Sequence, residues 1–237
     1  MELAPLTRSV ACRRYRDGRM ADITDDVATE IRVTLEVAGH GRRTLYAAPI
    51  DPEVLALGHA ALDLLAPGTI PVVTAAEGLA FVLEARPDPR PGPRPALPGS
   101  LPAAALLGLV RRFIAEPGLW DGTGCFHRAA LYDTTTGEFV VRAEDIGRHN
   151  CLDRLAGFGV RLDLCLPELV LFLSCRVTAS MMHKALRAGI RMVVSRSAVT
   201  GAALAAAQDA GATLVGFARD AEERFTIFTD PSGRVGL

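Results

Sequence analysis

The sequence predicts a three-layer α/β domain with a mixed sheet, preceded by a smaller N-terminal α+β portion. Three observations carry this reading. Apolar strand-like runs at Leu169–Leu173, Arg191–Val194 and Thr213–Phe217 recur with a start-to-start spacing of just over twenty residues, with helical stretches between them. Two further runs flank D-T-T-T-G-E and read as a hairpin. Residues 87–98 contain six prolines, which no helix interior or central strand accepts. We place the N-terminal portion at residues 1–86, the proline-rich linker or loop at 87–100, and the α/β domain at 101–237.

Each element has its own local signal. Ile31–Val37 alternates apolar and polar side chains as a half-buried strand does. Pro52–Leu65 has helical spacing, with Asp51 as N-cap and Pro52 at the first helical position. Leu79–Glu84 reads as another strand, and Ala103–Ala115 as a helix that Pro117-Gly118 ends. His127–Tyr132 and Phe139–Arg142 form the hairpin, and Arg148–Gly157 has helical spacing. Helices at Ala179–Ala188 and Gly201–Ala210, each followed by glycine, connect the three apolar strands as tight right-handed βαβ units. Phe225–Thr229 adds an edge strand.

Bulk composition narrows the function classes. A chain of 237 residues can bury a sizeable core, and 49% hydrophobic residues with a net charge of −1 describe an ordinary soluble globule. There is no basic coat for nucleic acid and no acidic tail. Lys184 is the only lysine, a bias that a GC-rich genome produces. Cys12, Cys125, Cys151, Cys165 and Cys175 form no C-x-x-C pair and follow no signal peptide, so they read as reduced cytoplasmic thiols. The most apolar stretch, Leu162–Ser174, is short and broken by Pro167 and Glu168; it reads as a buried strand, not a membrane span. Cys12 falls in an N-terminal segment expected to be mobile.

The segment Glu144–Asp153, E-D-I-G-R-H-N-C-L-D, concentrates two acids at its start with an arginine, a histidine, an asparagine and a cysteine around one glycine. A site for a charged, hydrogen-bonding ligand needs such a mixture. In open α/β sheets, ligands collect beyond the carboxyl ends of the strands, at helix N-termini. Three segments fall there, Ile146–Asn150, Ser174–Ser180 and Ser195–Thr200, each with one arginine: Arg148, Arg176 and Arg196. That pattern suits a phosphate or pyrophosphate. The competing reading makes Ser174, Ser180, Ser197 and Thr200 plain helix caps. His40, His59 and His183 have no site context and read as solvated or helix-surface residues.

Hairpin, helix, strand, helix, strand is also the order of the cytidine-deaminase-like fold. The zinc chemistry of those enzymes needs a glutamate two residues after the first helix-start ligand and P-C-x-x-C at the next helix start. Here Cys151 stands two residues after His149, and Thr178 three after Cys175. The residues predict the shape without a hydrolytic zinc centre, so no zinc is expected.

The motifs T-G-C-F-H-R-A-A-L-Y-D (Thr123–Asp133), E-D-I-G-R-H-N-C-L-D, S-C-R-V-T-A-S-M-M-H-K-A (Ser174–Ala185), S-R-S-A-V-T and T-L-V-G-F-A-R (Thr213–Arg219) stand in an order and spacing that resembles the formate dehydrogenase accessory sulfurtransferase family (FdhD/NarQ). The resemblance is strong from Thr123 to Arg219 and faint before it. It implies a cytoplasmic homodimer that passes sulfur from a cysteine desulfurase to a guanylylated molybdenum–pterin cofactor, for a formate dehydrogenase-type molybdoenzyme. Carried over, Thr123, Gly124 and His127, then Gly147, Arg148, His149 and Asn150, then Ser174, Arg176, Ser195 and Ser197 would line the guanine-nucleotide end of a molybdenum-bis(guanine dinucleotide)-type cofactor, or a guanine nucleotide itself.

Three departures mark this chain. The family's C-G-x-C-G-type pair is missing, and the proline-rich stretch stands in its region. Cys125 replaces the second glycine of T-G-G-x-H, and Cys175 the glycine of S-G-R. A relay needs an accessible thiolate; Cys125 is the candidate carrier, with Cys175 as the other position. The opposing expectation makes both thiols small buried hydrophobes. Two functions follow: a sulfurtransferase with a displaced thiol, or a non-catalytic nucleotide- or cofactor-binding protein that has lost sulfur transfer.

Overall fold

The structure is a computed structural model describing residues 3–89 and 99–236. The N-terminal portion contains β1 (Thr7–Arg16), β2 (Arg19–Ala28), β3 (Ile31–Val37), β4 (Gly41–Ala47), α1 (Pro52–His59), a π-helical turn (Ala60–Leu64), β5 (Thr69–Glu77) and β6 (Ala80–Pro87). Then come β7 (Leu101–Pro102), α2 (Ala103–Ala115), α3 (Leu119–Thr123), β8 (His127–Asp133), β9 (Glu138–Asp145), α4 (Arg148–Arg161) and β10 (Val170–Leu173). The chain ends with α5 (Ala179–Arg187), β11 (Met192–Ser195), α6 (Gly201–Asp209), β12 (Thr213–Arg219), β13 (Arg224–Thr229) and β14 (Val235–Gly236). Most of the proline-rich stretch 87–98 lies outside the described residues.

The six-stranded sheet runs β13-β12-β11-β10-β8-β9. Its centre, β10-β11-β12, is parallel, and β8 and β13 join it antiparallel. Leu152, Leu155, Met181, Met182 and Ala203 bring α4, α5 and α6 onto one face; Leu106, Leu109, Val110 and Phe113 bring α2 onto the other. This is the expected three-layer arrangement with hairpin, helix, strand, helix, strand in order. Every residue of β10 is buried, which is why Leu162–Ser174 is so apolar. Among the described residues no helix is long and apolar enough to cross a membrane.

A second sheet, β4-β3-β6-β5, buries Val33, Leu35, Phe81 and Leu83 against Leu55 and Ala56 of α1. Asp51 caps α1 as expected, its carboxylate accepting from Val54 N at 3.4 Å. The predicted helix to Leu65 ends differently: after His59 it widens into the π-helical turn. On its other side α1 crosses α4 at backbone contact. A Cβ on Gly58 would stand 1.5 Å from the Asp153 carbonyl oxygen, and one on Gly157 would stand 1.9 Å from that of Val54. Glycine at both positions lets the N-terminal portion lie directly on the helix that carries the polar motif. The expectation of a mobile N-terminus is corrected: β1 and β2 pair along ten residues each, and Cys12 sits opposite Ile23.

Candidate functional site

Strand direction brings the predicted positions to one edge. His127 opens β8 opposite Asp145 at the end of β9, and Leu173 of β10 pairs with Ala129 on one side and Ser195 on the other. Helices α4, α5 and α6 start from that edge. Gly147 and Thr178, at the N-caps of α4 and α5, make no side-chain capping bond, whereas Thr200 Oγ1 accepts from Ala203 N at 3.3 Å to cap α6.

Within Glu144–Asp153, most of the polar groups turn inward. Glu144 accepts from Arg128 Nε at 2.9 Å and from Leu119 N at 2.9 Å, while Arg128 Nη1 donates to the Phe113 and Glu116 carbonyls. This buried pair fixes the turn into α3, and Gly118 packs so closely that a Cβ would meet Arg128 Nη2 at 2.0 Å. Asp145 accepts from Ala48 N, Gly147 N, Asn150 Nδ2 and the Arg154 guanidinium. Arg154 also donates to the carbonyls of Ala48, Ile50 and Asp51, and Asn150 Nδ2 reaches the Tyr46 carbonyl at 2.8 Å. Cys151 is buried on its helix, and burial pushes its thiol well up. These groups satisfy the backbone of residues 46–51, which buried amides and carbonyls require. Arg148 and His149 are the side chains of the motif left for a ligand.

Arg148 dominates the edge electrostatically. His127 is held below its ordinary value by burial, then by Arg148 and Arg176; His149 is held down by burial, Arg148 and Lys184, with Asp153 and Asp63 opposing. Both rings are therefore neutral at pH 7. Arg148 Nε and Arg196 Nε are shut off from solvent and have no hydrogen-bond partner among the described residues. Arg176 is exposed. His149 Nε2 lies 2.8 Å from Ser180 Oγ, which lies 3.0 Å from Thr178 Oγ1.

Of the four hydroxyl residues weighed as caps, only Thr200 is one. Ser174 Oγ accepts from Arg128 N at 2.9 Å and so ties β10 to β8. Ser195 is fully buried, donates to the Cys175 carbonyl at 2.6 Å and accepts from Ser197 N at 3.0 Å. The neighbouring loop is also braced from β12. Phe217 adopts a left-handed backbone, φ 50°, and its N–H donates to Ser197 O at 2.9 Å. A Cβ on the preceding Gly216 would sit 2.8 Å from Val199 and Phe228, which accounts for the glycine of the last motif.

Thr123 ends α3, Gly124 is its left-handed cap at φ 64°, and Cys125 N donates to Thr123 Oγ1 at 3.2 Å. The two unusual thiols part company here. Cys175 is buried and pushed up to about 11 by burial, despite Arg148 and Arg176, so it is a small core residue. Cys125 is exposed, which corrects the expectation of a buried hydrophobe.

His59 corrects the sequence reading. Instead of a helix-surface residue it is part of an ionic cluster joining α1, the π-helical turn, α4 and α5. Its Nδ1 lies 2.9 Å from Asp63 and 3.3 Å from Asp153, and the Lys184 ammonium bonds both carboxylates. Burial alone would lower His59, but the bonds to Asp153 and Asp63 outweigh it and raise it to about 9. The three ligand-type groups lie within 4.8 Å of one another, a spacing that suits a metal ion. Lys184 Nζ already takes the cation's place. The i,i+4 spacing of His59 and Asp63 was visible in the sequence; their partners, in distant segments, were not.

The fold and its edge define a deaminase-like α/β protein whose helix starts present guanidinium and imidazole groups without the deaminase glutamate or cysteine pair. The chain belongs to the FdhD/NarQ family, whose sequence profile matches residues 69–235. It is 27% identical over 249 aligned positions to the sulfur carrier protein FdhD of Staphylococcus aureus strain MRSA252, covering 92% of each chain. The corresponding protein of the bovine strain RF122 / ET3-1 is 26% identical over the same length. A crystal structure titled as a formate dehydrogenase accessory protein from Desulfotalea psychrophila superposes with a TM-score of 0.81 at 24% identity, covering 98% of this chain and all of that one. That likeness establishes the shared fold.

Proposed function

We propose that this chain is an accessory sulfur carrier that holds the guanine-nucleotide end of a guanylylated molybdenum–pterin cofactor at the carboxyl edge of its six-stranded sheet, for maturation of a formate dehydrogenase-type molybdoenzyme. The observation that carries the binding half is the pair of Nε groups on Arg148 and Arg196, buried and without a partner among the described residues, with Arg148 opening α4, whose N-cap makes no side-chain bond. A buried guanidinium N–H without an acceptor is costly, and phosphate oxygens supply acceptors of the right charge. Arg148, His149, Arg176, Arg196 and His127 would face the anionic part, with Thr123, Gly124, Gly147 and Ser197 around it. Asn150, Ser174 and Ser195 act behind them as struts.

For the sulfur half, Cys125 is the thiol that is both exposed and beside that edge. Its thiolate attacks the outer sulfur of a persulfide on a cysteine desulfurase; the donor S–S bond breaks, the donor leaves as thiolate, and Cys125 carries the persulfide. Loss of the usual cysteine pair, with Cys151 and Cys175 buried, favours a second reading in which the protein holds the nucleotide without moving sulfur.

Two measurements separate these readings. Calorimetry with GDP should show binding that weakens about tenfold or more in Arg148→Ala and His149→Ala; absence of binding by the parent protein removes the ligand reading. Incubation with a cysteine desulfurase and cysteine, then persulfide trapping and mass spectrometry, should label Cys125. Nucleotide binding with no label on any of the five thiols would establish the second reading. Light scattering tests the homodimer that the family resemblance implies.

A further inference from the structure

We propose that Ser180 is a positioning residue whose hydroxyl donates to His149 Nε2, so that the ring presents Nδ1–H to an anionic acceptor. This rests on the ligand reading above, which supplies the acceptor at Nδ1, but the ring spectrum measures the tautomer separately from GDP binding.

The contact is specific. Ser180 is the second residue of α5, and its Oγ lies 2.8 Å from His149 Nε2, across from the second residue of α4. Thr178 occupies the N-cap position of α5, yet its hydroxyl makes no capping bond to the helix amides; it lies 3.0 Å from Ser180 Oγ instead. A threonine at an N-cap ordinarily spends its oxygen on the helix. Here Thr178, Ser180 and His149 form a hydroxyl–hydroxyl–imidazole chain that links two helix starts.

The direction of that chain follows from what surrounds the ring. Burial with Arg148 and Lys184 nearby keeps the imidazole neutral, and the acidic groups facing it, Asp153 and Asp63, are bonded to Lys184 and His59. A neutral imidazole has one donor and one acceptor nitrogen. Nδ1 has no hydrogen-bond partner among the described residues. The cations that act on the ring, Arg148 and Lys184, are donors, so the group that binds there is an acceptor. The free nitrogen must then carry the proton, and Nε2 must accept from Ser180, which in turn accepts from Thr178. A hydroxyl on the second helix turns an ambiguous ring into a fixed donor.

The test is the ring-nitrogen spectrum of His149 in the full chain at pH 7, by long-range proton–nitrogen correlation, assigned with His149→Gln. The expected result is a neutral ring with the proton on Nδ1. Ser180→Ala should move the proton predominantly to Nε2, the form that free imidazoles favour, and should weaken GDP binding by about tenfold or more, the worth of one hydrogen bond to a charged acceptor. Ser180→Thr, which keeps the hydroxyl, should restore both. A wild-type proton on Nε2, or a spectrum unchanged in Ser180→Ala, overturns the assignment. If the proton sits on Nδ1 and responds to Ser180 while GDP fails to bind, the positioning role is supported and the nucleotide reading falls.

Discussion

Arg154 and Asp145 are joined by two hydrogen bonds to one carboxylate oxygen, 2.9 Å from Nε and 2.7 Å from Nη2, with both side chains essentially closed to solvent. The pair works as a bracket. Asp145 takes the Ala48 amide and the Gly147 amide, while Arg154 takes carbonyls from residues 48, 50 and 51. The polar density of Glu144–Asp153 thus serves two purposes. Asp145, Asn150 and Asp153 fasten the N-terminal portion onto α4, and that attachment sets where Arg148 and His149 stand.

Removing one member of this bracket should be severe. Asp145→Ala leaves a buried guanidinium uncompensated, and we expect a loss of about 3–5 kcal/mol, read from urea denaturation. Asp145→Ala combined with Arg154→Met should cost less than the sum of the single changes, because no orphan charge remains. Additive losses would show that the two side chains act separately.

Two glycine-to-alanine changes should have opposite signs. Gly108 is exposed in α2 with nothing within 4 Å of a new Cβ, so Gly108→Ala should stabilise the protein by about 0.5–1 kcal/mol through helix propensity. Gly157→Ala places a Cβ against the Val54 carbonyl and must drive α1 from α4, costing about 3 kcal/mol or more. A thermal midpoint unchanged or raised in Gly157→Ala would refute the close crossing.

The secondary structure was legible where local chemistry is decisive. Ile31–Val37 and Ala103–Ala115 were read to the residue, because alternation and a proline–glycine stop leave little choice. The β1–β2 hairpin was not: both strands are mostly polar, with Val10, Cys12, Ile23 and Val27 half-buried on one face, and part of their support comes from ion pairs across the strands such as Arg14–Asp25 at 2.7 Å, which appear only once register is known. The motif Glu144–Asp153 was legible as important, but side-chain direction was not. Asp153 and Lys184 are 31 residues apart and each looks solvent-exposed by type, yet they meet in the interior.

The ionic cluster predicts a characteristic pH dependence. His59 is raised from 6.5 to about 9 by its bonds to Asp153 and Asp63, against burial, so its contribution is fully present below pH 6.5 and is lost as pH rises through about 9. Asp63 is lowered from 3.8 to about 2 by its bonds to His59 and Lys184, again against burial, so its contribution is present above pH 3.8 and is lost as pH falls through about 2. Stability should therefore be flat from pH 3.8 to 6.5 as far as these two groups decide it. On the alkaline side it should fall by about 3 kcal/mol. In His59→Gln the alkaline slope between pH 6.5 and 9 should flatten; an unchanged slope would place the titrating group elsewhere.

Thiol accessibility should separate the two cysteines that stand at glycine positions of the family pattern. Cys125 is exposed on the loop after α3, so a maleimide at pH 7.5 should modify it within minutes, before unfolding becomes relevant. Cys175 is buried, its carbonyl accepts from Ser195, and its thiol is pushed up to about 11, so both access and thiolate population oppose the reaction. Cys151 is buried beside it in the same core. Peptide mapping by mass spectrometry should find Cys125 labelled in the native protein and Cys151 and Cys175 labelled only after denaturant is added. Modification of Cys175 at the rate of Cys125 would mean that the strand-end turn at Ser174–Arg176 opens readily, and Cys175 would then have to be reconsidered as a sulfur carrier.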